Sequence, residues 1–537
     1  MAKLDLHDIQ GNIVKGYGRY GFPKARYVFF SINKEQPGRV FLNKVIALVT
    51  TSEPWENYGK TQNNAALPSV TTNIAFSYQG LKRLGLSRQS LQSFPTDFAM
   101  GMKARHDILG DDGASAPQNW DPIWRDNEVH CWLSINGRDE DSIEQRYQTI
   151  LRFIGESNEG VTLISGHRGD NGADNLDYQQ ASAVFNNGNP TPKEHFGYTD
   201  GISDPYFKGT ETNPLNVIGG GKRTKEDPST TAGWQPIETG EFILGHRDEA
   251  FETPTNAPMP RLLAHNGTYM VYRKLHENVA SFNDYIENTG KDFPGGKEAV
   301  AAKFVGRWRN GVPLTSFPTE EKANAFLSEL AAAKKQLSEI DAQANANEQE
   351  LNTARQKYAA LKKQFVAFDY NNDIDGGKCP VGAHARRANP RGALAFGVKK
   401  AFQTPGALVD RRRIARRGLP YGEVKDPTKN NGNHGIIFMA INASIERQFE
   451  FVQQQWINYS NDFKLGNDKD PIVGNHEIDQ EGACQGKMTL EGDRNQNRPP
   501  FFCSAMPRFV ETRGGEYFFI PSLTALKMIA EGIVDPT

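Results

Sequence analysis

Apolar, β-branched and aromatic residues crowd together in short runs that mark the extended segments of this chain. Arg26–Ile32 and Val129–Ile135 predict strands. The second run is followed by a helical pattern from about Asp139 to Phe153. The second half repeats this grammar. Thr268–Leu275 and Gly435–Ile441 predict strands, and the latter leads into a helix from about Ile445 to Trp456. Two strand–helix sets, one per half, predict an internally duplicated α+β unit, with chance alternation as the competing explanation. Between them, residues 154–266 are rich in Gly, Asn, Pro and Thr with aromatics interspersed, which predicts long ordered loops. Glu241–Gly245 reads as a short strand inside that region.

One segment breaks the pattern. Residues 318–366 contain no Gly, and their only Pro is Pro318. Leu330, Leu337, Ala344, Leu351, Tyr358 and Phe365 recur every seven residues. Phe326, Ala333, Ile340, Ala354 and Leu361 fill the partner positions. This is a heptad seam. Because its ends must return to one body, it predicts an antiparallel helical hairpin turning near Asp341–Glu348, with a single long helix as the alternative. The hairpin either packs on its own body, the simpler reading, or pairs subunits into a homo-oligomer.

Length and charge narrow the classes. At 537 residues the chain is too long for one simple core. A net charge of -2, from 62 basic and 64 acidic residues, gives no drive toward nucleic acid or anionic membrane. Hydrophobic residues make up 37% and no run approaches the roughly 20 needed to span a bilayer. Cys131, Cys379, Cys484 and Cys503 are scattered, with neither a zinc pattern nor Cys-x-x-Cys-His for covalent haem attachment. The N-terminus carries no apolar leader or twin arginine. The expectation is a soluble, cytoplasmic chain with buried, reduced thiols.

Three side chains carry candidate chemistry. His384 stands in Cys379-Pro380-Val381-Gly382-Ala383-His384-Ala385-Arg386-Arg387-Ala388-Asn389-Pro390-Arg391. A neutral imidazole suits iron, and its other ring nitrogen then needs a carboxylate or carbonyl acceptor. Glu446 and Glu450 are candidates for that acceptor, or are solvated acids at a helix start. Asp200 sits in Gly197-Tyr198-Thr199-Asp200-Gly201, where Gly197 and Gly201 let backbone approach a flat cofactor closely. Aspartate stays a base in mild acid, where histidine is protonated. The competing reading of Asp200 is an Asx turn. The third element is the basic run Arg411-Arg412-Arg413-Ile414-Ala415-Arg416-Arg417-Gly418. Imidazole, carboxylate and guanidinium together are the parts a haem uses to split a peroxide. Gly219–Arg223 lacks the spacing of a phosphate loop, and His276-Glu277-Asn278-Val279-Ala280 lacks the second His of a zinc protease.

The His384 and Arg413–Gly422 segments, the Asp200 turn, Asp8–Ile13 and Asn442–Phe449 together resemble the dye-decolourising peroxidases, and in length and motif style the larger subfamily. The likeness spans nearly the whole chain apart from 318–366. It implies two ferredoxin-like halves with antiparallel sheets: residues 1–215, carrying the Asp200 turn, and 216–537, binding haem, with the hairpin inserted in the second. It implies noncovalent haem b with His384 as the iron ligand, and Asp200 and Arg416 as the catalytic pair. Gly197, Gly201 and Arg413 lie against the cofactor. Arg411, Arg412, Arg413 and Arg417 either pair with haem propionates or form a basic surface patch. Some relatives carry Asn two places after the distal arginine; here that position is Gly418. The implied partners are hydrogen peroxide and aromatic reductants such as anthraquinone-type dyes and phenolics, reached through surface Trp or Tyr that the sequence does not identify. The competing class is a haem storage or delivery protein on the same scaffold.

Overall fold

The computed structural model describes residues 4–55, 67–169, 175–210, 213–254, 257–343, 347–394, 407–492 and 497–533. Ten strands form one antiparallel sheet: β1 (Lys24–Ile32), β2 (Val70–Phe76), β3 (Cys131–Gly137), β4 (Val161–Leu163), β5 (Tyr178–Ser182), β6 (Thr268–Glu277), β7 (Ala415–Arg416), β8 (Leu419–Tyr421), β9 (Gly435–Asn442) and β10 (Val510–Ile520). Their order is β7-β9-β6-β10-β2-β3-β1-β4, with β8 beside β9 and β5 beside β1. Within each half the order is fourth-first-third-second, the ferredoxin-like arrangement. The halves meet through one register pair, Phe519 with Phe76.

The four longer predicted strands are present as β1, β3, β6 and β9, and the burial pattern explains why. Along β6 every residue but Thr268, Arg273, Lys274, His276 and Glu277 is apolar or aromatic, and all but Leu275 are buried. The helix after β3 runs Glu140–Gly155. Asp139 caps it by accepting from the Ser142 amide at 2.7 Å, and Ile143, Tyr147 and Ile150 bury one face. The helix after β9 winds as two π-type segments, Ile445–Glu450 and Val452–Ile457. Glu241–Gly245 is not a strand. Thr239–Glu241 is a 3-10 turn, and Glu241 is fully buried between Arg447 and the Glu249 amide. Its ionic partners, rather than a β ladder, fix that segment.

The 318–366 segment is a hairpin of helices Glu320–Asp341 and Glu348–Lys363. Seam position 344 lies outside the described residues. Phe326, Ala333 and Leu361 are buried with Trp308, Leu314, Tyr370, Cys379 and Ala383. The hairpin therefore packs down on the segment leading to His384. Cys131, Cys379 and Cys503 are buried, but Cys484 is half-buried; the described cysteines form no disulfide. Among the described residues no helix is long and apolar enough to cross a membrane.

Candidate functional site

A cavity of about 1090 Å³ is lined by residues from both halves of the chain. Its floor is the sheet, where Leu275 and Glu277 of β6, Ile436–Met439 of β9 and Arg416 of β7 contribute. Phe449, Val452 and Ile457 from the π-type helix and His384 from the short helix His384–Ala388 complete it. His384, Asp200, Gly201, Arg413 and Arg416 all line this one space, though they come from three distant parts of the chain. Gly197 does not line it.

His384 is held through one nitrogen. Its Nδ1 lies 3.0 Å from Asp470 Oδ2, and Asp470 is completely buried. The other Asp470 oxygen accepts from the amides of Ile472 and Val473 at 2.8 and 2.9 Å. Burial opposes charge on the imidazole, but the Asp470 carboxylate outweighs it, so the His384 pKa is raised. Burial likewise works against the Asp470 charge, and His384, Arg387 and the amides reverse that, leaving the Asp470 pKa below its ordinary value. Arg387 is fully buried and donates to the carbonyls of Gly382, Trp456 and Asp468, tying the helix of His384 to its neighbours.

Glu446 and Glu450 do not serve His384. Glu450 is buried in a two-point pair with Arg105 and accepts from Tyr517 Oη at 2.8 Å, while the Glu446 backbone is bound by Asp97. Asp470 was missed because it stands in a loop without periodicity. The only signal for it is the acceptor that a ligand histidine requires, and Asp462 and Asp468 satisfy that in sequence equally well.

Asp200 and Arg416 meet each other. Arg416 Nη1 lies 2.7 Å from Asp200 Oδ1. Their side chains retain 43% and 40% exposure although Arg416 is deep in the body, so the accessible surface is that of the cavity. The Asp200 charge, against opposing burial, holds the guanidinium even more firmly protonated. The turn is fixed by backbone: the Asp200 amide donates to Pro192 O at 2.7 Å, and the Gly201 amide to Asp200 Oδ1 at 2.6 Å. Gly197 and Gly201 have φ of 92° and 72°, the left-handed region that side chains disfavour. Gly418 has its own reason. A Cβ there would lie 1.9 Å from the Ile437 carbonyl oxygen, so the chain cannot carry an asparagine at this position without moving β9.

The arginine run divides. Arg411 pairs with Asp248 and Glu241, Arg412 lies over the Phe451 ring and donates to Arg447 O, and Arg417 pairs with Asp204 while donating to Asn12 and Ile13 carbonyls. These three are internal fasteners rather than a surface patch. Arg413 differs. It is buried, lines the cavity, and donates to the Gly220 and Gly221 carbonyls. Arg307 and Arg391 line the same cavity and likewise donate to carbonyls, Arg307 to Gly311 and Phe365, Arg391 to Val366 and Phe368. None of the three has an ion pair among the described residues. Burial, reinforced by the neighbouring Arg307 charge, pushes Arg391 down to about 9. Three guanidiniums lining the cavity without an ion pair among the described residues, Arg391 and Arg413 buried and Arg307 half-buried, suit an anionic occupant. Arg307 and Arg391 escaped the sequence reading because nothing there places them beside Arg413.

The fold and site thus define an α+β barrel protein whose interior cavity joins a carboxylate-held histidine, an acid–guanidinium pair and a cationic wall. The family model for the DyP dimeric alpha+beta barrel domain matches residues 8–168. The dye-decolorizing peroxidase msp1 of Mycetinis scorodonius is 26% identical over 98% of this chain and 88% of its own length. The multifunctional dye peroxidase DyP2 of Amycolatopsis sp. is 24% identical, over 98% and 96%. The solved structure of an ancestral D-type dye decolorizing peroxidase superposes with a TM-score of 0.69 at 26% identity, covering 98% of this chain and 99% of that one. Over nearly its whole length the chain is similar to the dye-decolourising peroxidases, and the matching family model covers its first part.

Proposed function

We propose that this chain is a peroxidase of the larger subfamily that binds haem b noncovalently, reduces hydrogen peroxide and oxidises bulky aromatic reductants such as anthraquinone-type dyes and phenolics. The observation that carries this reading is the convergence of His384, Asp200 and Arg416 on one cavity, with Asp200 and Arg416 in contact at 2.7 Å. The residues fit a haem: an imidazole with one nitrogen committed to Asp470, an apolar stretch at Phe449, Val452 and Ile457, and unpaired buried guanidiniums for propionates. His384 would hold the iron through Nε2. Asp470, accepting from Nδ1–H, makes the imidazole a stronger donor. Arg307, Arg391 and Arg413 would hold the propionates. The haem supplies the redox chemistry of the two-electron reduction of peroxide.

The protein supplies proton handling and charge. Asp200 takes the proton from one oxygen of hydrogen peroxide and returns it to the other as the O–O bond breaks. Arg416, fixed in charge, stabilises the negative charge on the deprotonated peroxide and on the departing oxygen. The overall step is balanced as one hydrogen peroxide, two protons and two electrons giving two waters. A storage or delivery protein needs neither Asp200 nor Arg416, so their pairing inside the cavity favours the enzyme.

The test is an absorption spectrum and a steady-state peroxide assay on the haem-loaded protein. An intense Soret band that shifts on adding peroxide, with turnover lost in Asp200→Ala, is the expected result. An Asp200→Ala protein that keeps haem and matches wild-type turnover contradicts it.

A further inference from the structure

Two carboxyls on the cavity wall take no part in the scheme above. Glu277 ends β6 on the same face as Leu275, and Glu194 opens the turn that carries Asp200. Both line the cavity, and both are buried, at 3% and 8% exposure. Glu194 accepts from the amides of Phe196 at 2.8 Å and Tyr198 at 2.6 Å. Glu277 accepts from the amide of His195 at 3.2 Å. Glu277 is thus held on the His195 amide and Glu194 on the amide of the next residue, which sets the two carboxyls side by side, each acting on the other's proton affinity. Neither has an ion pair among the described residues.

We propose that Glu277 and Glu194 share one proton and act as the internal proton store that recharges Asp200 during turnover. This deepens the peroxidase reading and rests on it. A hydrogen bond between two carboxyls requires a proton on one of them. Two full charges side by side inside the protein repel strongly, so at rest the pair holds one proton rather than none. The assignment follows from the donors. Glu194, with two amide donors, is the better place for the negative charge, and Glu277 is the acid that donates to it. Burial, then the neighbouring carboxylates, raises Glu277 well above the carboxylate range, and burial brings Glu194 to about 7.

Among the described residues no cation forms an ion pair with either carboxyl. His195, His276 and His434 cluster beside Glu277, with His434 ring centroids 5.5 Å and 5.1 Å from those of His195 and His276. Burial depresses all three, His434 to about 4, which favours their neutral forms. Lys193 and Arg309 approach from the Glu194 side, but their hydrogen bonds go elsewhere: Lys193 Nζ donates to the Gly197 and Arg309 carbonyls, and Arg309 donates to the Phe196 carbonyl and pairs with Glu298. Tyr421 is buried with its phenol raised, and Asp200 adds a like charge to both carboxyls. Asp200 and Glu194 belong to one turn, which brings acid and store together.

The chemistry needs such a store. Each peroxide consumes two protons, and a reductant that gives only electrons brings none. In the proposed step an O–H bond of the pair breaks and an O–H bond forms on Asp200. The pair is then reprotonated from water in the cavity, with no change in oxidation state. A phenol releases a proton with each electron it gives and so lessens the demand.

The test uses the haem-loaded protein and the Glu277→Gln and Glu194→Gln variants, with far-UV circular dichroism and the Soret band as controls for folding. With ferrocyanide as reductant, Glu277→Gln is expected to lose about tenfold in turnover and to show a larger solvent deuterium effect. With a phenol the loss is smaller, and KM for peroxide is unchanged. Infrared spectroscopy at pH 7 gives an independent readout: a protonated-carboxyl carbonyl band, shifted in deuterium oxide, in the difference spectrum between the wild type and Glu277→Gln. If Glu277→Gln fails to fold, Glu194→Gln is read in the same way. Absence of the band in the wild type, or ferrocyanide turnover and isotope effect unchanged in the variants, overturns the proposal. A wild-type protein that shows the band and holds haem yet does not turn over peroxide would refute the peroxidase reading while leaving the shared proton in place.

Discussion

The two sides of the cavity are built differently. On the His384 side the supporting groups are tied down: Asp470 is wholly buried, bound by two amides and the imidazole, and Arg387 fastens three carbonyls behind it. On the Asp200 side the two functional groups are half-exposed to the cavity and hold chiefly each other. A metal ligand must not move, whereas an acid that exchanges protons with a small substrate must be free to change partners. The difference shows that rigidity is placed where geometry matters and freedom where the proton moves.

Mutations on the two sides should therefore fail in different ways. The largest effect belongs to His384→Ala, which should abolish stable haem binding; a Soret band of wild-type intensity after gel filtration would break the comparison. Next come Arg416→Leu and Asp200→Asn. Each should keep haem while lowering kcat/KM for peroxide by on the order of 10²–10³-fold, read in the steady state. Asp470→Asn should cost about 10–100-fold in haem affinity or activity, measured by haem transfer to a scavenger globin, since the ring keeps a weaker partner.

The smallest effect concerns the loop before His384. Glu491 accepts from the Val381 amide at 3.1 Å, and burial raises its pKa from 4.5 to about 7. The folded state holds that proton when the unfolded chain has already released it. Stability should therefore fall as pH rises from 4.5 through 7 and level off above. Glu491→Gln should flatten that part of the profile by a few degrees in thermal melts; an unchanged slope would remove Glu491 as the cause.

Much of this was legible from the residues. β1, β3, β6 and β9 announce themselves because aromatic and β-branched side chains fill both faces. β2 does not. Its Thr71, Thr72 and Asn73 are buried, and Asn73 is satisfied by Tyr17 Oη at 2.8 Å and by Gln10, partners visible only in three dimensions. β10 is disguised by Gly514 and Gly515. A Cβ on Gly514 would lie 2.0 Å from Trp124, so close packing, not a turn, places glycine there. The site shows the same divide. His384, Asp200, Arg413 and Arg416 stand in local patterns, whereas Asp470, Arg391, Arg307 and the Glu194–Glu277 pair acquire meaning only from the residues they face.

The most direct measurement is a crystal structure of the haem-loaded protein. The account predicts iron about 2.0–2.2 Å from His384 Nε2, with Asp200 and Arg416 together over the opposite face of the porphyrin. Iron held by another side chain, or Asp200 and Arg416 away from that face, would contradict it.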